Sequence, residues 1–149
     1  MKSIRRSTVM AVTVGALALG LALPTGPAGA SPAYKTFTWK NGSIAGECQM
    51  YSAGASWTAP TWTLYPDGTA RFDATLTSLS GDDAWLMWAH LKDENGALLA
   101  DIHVPGSTST KFVKNLPLAY PRKYRWLAEG RFDPSLYPLI ERMSLSKHC

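Results

Sequence analysis

From Tyr34 onward, apolar side chains recur at every second position in short runs, and each run ends in glycine, proline, asparagine or aspartate. Period two sends alternate side chains to opposite faces of a strand, and no stretch here keeps the 3.6-residue period of a long helix. The clearest unit runs from Thr61 to Thr77. Trp62 and Leu64 alternate with threonine, Pro66-Asp67-Gly68 makes the turn, and Ala70, Phe72, Ala74 and Leu76 alternate with Arg71, Asp73 and Thr75. Proline presets φ, Asp67 accepts within the turn and Gly68 supplies the positive φ of a bulged type I turn. This hairpin therefore has one wet and one buried face.

The same reading expects strands over Tyr34–Trp39, Glu47–Tyr51, Ala84–Lys92, Ala97–Val104, Lys111–Leu116 and Arg122–Arg131, then a short turn from Phe132 to Tyr137 and a last strand. Asn95-Gly96 closes a second hairpin. About eight strands at short spacing indicate an all-β fold, an antiparallel β-sandwich or barrel.

Residues 1–30 read as an address. Lys2, Arg5 and Arg6 form a basic start, Val9 to Leu23 is apolar, and Ala28-Gly29-Ala30 is an A-x-A cleavage site. The apolar run is shorter than the roughly 20 residues a membrane helix needs. The expectation is a signal peptide at 1–30 and a single secreted β-domain at 31–149, extracellular and without membrane insertion. Removal of Lys2, Arg5 and Arg6 brings the 15 Lys and Arg close to parity with the 11 Asp and Glu. Near-neutral charge gives no support to nucleic acid as a partner.

The chain has two cysteines, Cys48 and Cys149. In an exported chain an oxidised pair is the expectation, and a loop of about 100 residues contributes at most about 5 kcal/mol in the chain-entropy model. Cys149 has His148 beside it, but neighbours on a strand point to opposite faces and cannot form a reactive pair. Met143, Leu145 and Cys149 share one face; Arg142, Ser144, Ser146 and His148 share the other.

The segments FTWKNGSIAGECQMY, WTLYPDGTARFDATLTS, DDAWLMWAHLKDENGALL and RWLAEGRFDPSLYPLIERMSLSKHC resemble the recurring blocks of an uncharacterised family of small secreted proteins from actinomycete-type bacteria. The resemblance implies the secreted setting and the domain boundaries. It implies no activity and assigns no functional residue.

The second hairpin carries the best polar constellation. With Asn95-Gly96 as a two-residue loop, His90 faces Asp101 and Trp88 faces His103; a four-residue loop sets His90 diagonal to Asp101. Either register puts Leu86, Trp88, His90, Asp101 and His103 on one face. Such a His/Asp/His group is able to bind a divalent metal or supply an acid and a base; the plainer reading is a hydrogen-bonded pair on a sheet face. Asp82, Asp83 and Glu47 read as turn and solvation residues rather than a glycosidase pair, and the serines lack a G-x-S-x-G elbow.

Most of the six tryptophans belong to the core by alternation: Trp62 with Leu64, Trp85 with Met87, Ala89 and Leu91, Trp126 with Tyr124. Trp88 lies opposite Trp85, and Trp57 sits in the loop 52–60. Exposed aromatics on a β-sandwich suit sugar stacking or a protein interface. The leading expectation is a non-enzymatic binding module for a carbohydrate or extracellular protein, contacted through Trp88, Trp57, His90 and Asp101, with no cofactor. Two alternatives remain: an enzyme or metal-binding protein using His90, Asp101 and His103, and an inhibitor or structural protein acting through loop 52–60.

Overall fold

The computed structural model of the chain describes residues 33–52 and 58–149. They form ten strands: β1 (Lys35–Thr38), β2 (Ser43–Ala45), β3 (Cys48–Met50), β4 (Thr61–Leu64), β5 (Thr69–Ser78), β6 (Asp83–Lys92), β7 (Leu98–Asp101), β8 (Phe112–Leu116), β9 (Tyr124–Arg131) and β10 (Arg142–His148). A short 3-10 turn covers Pro134–Leu139, where Asp133 Oδ1 accepts from the Ser135 amide at 2.9 Å. No helix among the described residues is long and apolar enough to cross a membrane.

All pairings are antiparallel and fall into two sheets built to one plan. In the six-stranded sheet, β5 pairs β9 along one flank, from Thr69↔Arg131 to Leu76↔Tyr124. On its other flank β4 (Trp62↔Phe72) and β3 (Met50↔Leu76) lie end to end, backed by β1 and β2. In the four-stranded sheet, β6 pairs β10 along one flank, while β7 and β8 lie end to end on the other.

The two sheets do not close into a barrel, but two seams join them. At one, the chain leaving β7 crosses over. Ile102 donates its amide to Ala89 of β6 at 2.9 Å, and His103 exchanges two 2.8 Å backbone bonds with Arg131 of β9. At the other, side chains do the joining. Lys35 Nζ donates to the Ile140 carbonyl at 2.6 Å and pairs with Glu141 at 3.0 Å, Lys147 donates to Ser43, and Cys48 is disulfide-bonded to Cys149.

Alternation fills the space between the sheets. Trp62, Leu64, Ala70, Phe72, Ala74 and Leu76 of the first sheet meet Trp85, Met87, Ala89 and Leu91 of the second, with Ile102 and Ile140 at the margins; all are buried. Trp62, Phe72, Phe112 and Trp126 make a continuous ring cluster with centroids 5.1–5.3 Å apart. Such tilted and edge-on pairs add about 0.5–1.5 kcal/mol each beyond burial. The outer face of the first sheet is wet, as its alternation requires: Arg125 forms a two-point pair with Asp73, and Arg71 lies 3.8 Å from Glu129.

The local strand readings agree with these elements to within a few residues at each end. β2 is the addition, too short at three residues for its alternation to register.

Candidate functional site

The outer face of the second sheet differs in kind from that of the first. β6 buries Trp85, Met87, Ala89 and Leu91 and turns Leu86, Trp88 and His90 outward, each partly exposed. The register adds Val113 opposite Leu86 from β8, Asp101 opposite His90 from β7, and Ser144, Ser146 and His148 opposite His90, Trp88 and Leu86 from β10. A half-buried tryptophan therefore sits between an apolar end and a polar end of one sheet surface.

The polar end is a hydrogen-bonded row across three strands. His90 Nδ1 lies 2.6 Å from Asp101 Oδ1, and His90 Nε2 lies 2.8 Å from Ser146 Oγ. The His90 and Asp101 side chains are 23% and 32% exposed, whereas Ser146 is open to solvent. An ionised carboxylate only accepts, so in the neutral ring the proton sits on Nδ1 facing Asp101 and Nε2 accepts from the Ser146 hydroxyl.

The direct His90↔Asp101 pairing arises by compensation. The turn is a three-residue loop, Glu94–Gly96, in which Asp93 Oδ1 accepts the amides of Asn95 (2.9 Å) and Ala97 (2.8 Å). An irregularity between Leu91 and Lys92 in the β6–β7 ladder then restores the register at Leu91↔Ala100. A bulge beside a turn commonly re-aims side chains in this way.

Other sequence-level candidates separate. His103 does not face Trp88. The chain crosses between sheets at this point because Ile102 is drawn into the core, so His103 pairs with Arg131 and its Nδ1 lies 3.2 Å from the Thr108 carbonyl. The structure thus pairs His90 with Asp101 and sets His103 on Arg131 of the other sheet. Among the described residues, the group with ligand atoms mutually within 4.8 Å is Cys48, Asp83 and Cys149, and its two sulfurs are committed to the disulfide. Asp83 accepts from Ser78 and Ser80 hydroxyls and so holds the β5–β6 connection, as a turn residue would. Trp57 and most of loop 52–60 lie outside the described residues.

Sequence reasoning missed Ser146. Its face was readable from alternation along β10, but not that β10 returns to lie beside β6, 56 residues away. Five surface depressions of about 140–430 Å³ have walls built from residues other than Trp88, His90, Asp101 and Ser146.

Two packed antiparallel sheets, a disulfide clasp and an Asp–His–Ser row beside a tryptophan define the chain as an all-β sandwich with one differentiated outer face. It belongs to a family of unknown function, DUF6294, whose family model matches residues 61–149. That span contains Trp88, His90, Asp101 and Ser146 and begins after Cys48, so FTWKNGSIAGECQMY falls outside it. No curated protein and no solved structure matches the chain.

Proposed function

We propose that this chain is an exported β-domain that binds a carbohydrate chain across the outer face of its second sheet. The observation that carries this reading is Trp88, half-buried on an open sheet face, with Leu86 and Val113 on one side and the Asp101–His90–Ser146 row on the other. A sugar ring offers an apolar C–H face and a rim of hydroxyls. An indole stacks on the first, and groups already held by one another meet the second at low ordering cost. The signal-like residues 1–30 and the Cys48–Cys149 disulfide support an oxidising compartment outside the cytoplasm.

The test is binding to a panel of soluble and insoluble polysaccharides, followed by tryptophan fluorescence and by pull-down. Trp88→Ala is expected to weaken binding by at least about 10-fold, the scale of a lost aromatic anchor, in a protein with an unchanged circular dichroism spectrum. Absence of binding across the panel, or equal binding by the folded Trp88→Ala variant, overturns the reading.

A further inference from the structure

We propose that Ser146 is an activated nucleophile and that the Asp101–His90–Ser146 row is an acyl-transfer site for esters of small carboxylic acids. The connectivity is that of a nucleophile, a base and an orienting carboxylate: Ser146 Oγ to His90 Nε2 at 2.8 Å, and His90 Nδ1 to Asp101 Oδ1 at 2.6 Å. Each ring nitrogen has the partner that the chemistry requires. In the neutral ring, with Nδ1–H donating to Asp101, the only base atom left is the one that touches the serine.

The three side chains stand on β6, β7 and β10, positions fixed by ladder pairing, by the buried inner face of β6 and by the partly buried Leu99, Met143 and Leu145 packed against the core. Sites on paired strands hold their geometry better than sites on loops. Ser146 itself is exposed, so an acyl donor reaches Oγ. Among the described residues β10 pairs with a strand on one side only, so alternate backbone N–H groups along it point away from β6 and can donate to an oxyanion. Trp88 lies opposite Ser146 in register and offers an apolar side chain to the rest of the ester.

The step balances without a co-reactant other than water. Oγ attacks the ester carbonyl carbon as its proton passes to Nε2. The carbon–oxygen bond to the leaving alcohol breaks, and that alcohol takes the proton from Nε2. Water then repeats the sequence on the acyl-serine, which releases the acid and restores the hydroxyl.

A fluorophosphonate probe tests this directly, with adducts located by peptide mass spectrometry and p-nitrophenyl acetate hydrolysis as a second readout. The expected result is one adduct on Ser146, absent in Ser146→Ala and in urea-unfolded protein. In His90→Gln, whose fold is checked by thermal melting, labelling slows by about 100-fold or more, the usual weight of a general base. No adduct, an adduct elsewhere, or equal labelling of His90→Gln overturns the proposal. The probe carries no sugar, so its outcome is separate from that of the carbohydrate reading, which binding measurements decide.

Discussion

Gly130 of β9 leaves the space that Ile102 fills: a Cβ built on Gly130 would lie 2.3 Å from Ile102 Cγ2. The glycine has no positive φ, so the requirement is steric. Phe112 Cζ and Trp62 Cη2 sit 3.4 Å from the same point, and Ile102 is β-branched and fully buried, so it has little room to yield. Gly130→Ala is expected to lower unfolding stability by about 1–3 kcal/mol, the usual cost of overpacking. Urea denaturation, read as a fall in midpoint at constant slope, checks it. The crossing of the chain at His103 would loosen with it, because Ile102 anchors that crossing.

The disulfide closes the seam that has no backbone ladder. Replacing both Cys48 and Cys149 with alanine is expected to lower stability by about 2–5 kcal/mol, because the bond encloses most of the domain. The comparison is between urea midpoints of the oxidised protein and the double variant. An unchanged midpoint would mean that the Lys35 and Lys147 contacts suffice to hold the seam.

Acid should weaken the protein through two turn carboxylates. The Thr69 backbone amide donates to Asp67 at 2.8 Å and is the main cause that holds that carboxyl below its ordinary range. Ser135, through its side chain first and its amide second, does the same for Asp133. A carboxyl lowered in the folded state binds fewer protons there than in the unfolded chain. Its contribution is complete above the ordinary value near 3.9 and is lost as pH falls through the lowered one. Melting temperature is therefore expected to fall as pH drops below the ordinary carboxyl value of about 4, and Asp67→Ala should flatten part of that slope.

What alternation and turn chemistry encode was legible: the Pro66-Asp67-Gly68 hairpin, the burial of Trp62, Trp85 and Trp126, the placement of Trp88 on the face opposite Trp85, and the common face of Trp88, His90 and Asp101. These are local consequences of period two and of loop geometry. The Asp101–His90–Ser146 row was not legible, because it depends on β10 choosing β6 as its neighbour. Edge choice between distant strands is decided by the summed fit of two faces, not by any short stretch. His103 failed for a related reason: local parity assumes a strand that continues, and burial of Ile102 redirected it to the other sheet.

β5 and β6 are consecutive in the chain, and each is the strand about which its sheet is arranged. The centres of both sheets are thus laid down within residues 69–92, joined by a connection that Asp83 ties to Ser78 and Ser80. Every other strand but the outermost β1 and β2 adds to a template supplied by this pair, which shortens the search that non-local β-pairing otherwise imposes. In hydrogen exchange the amides of this pair should be the last to surrender their protons, so that the segment most central to assembly is also the last to open.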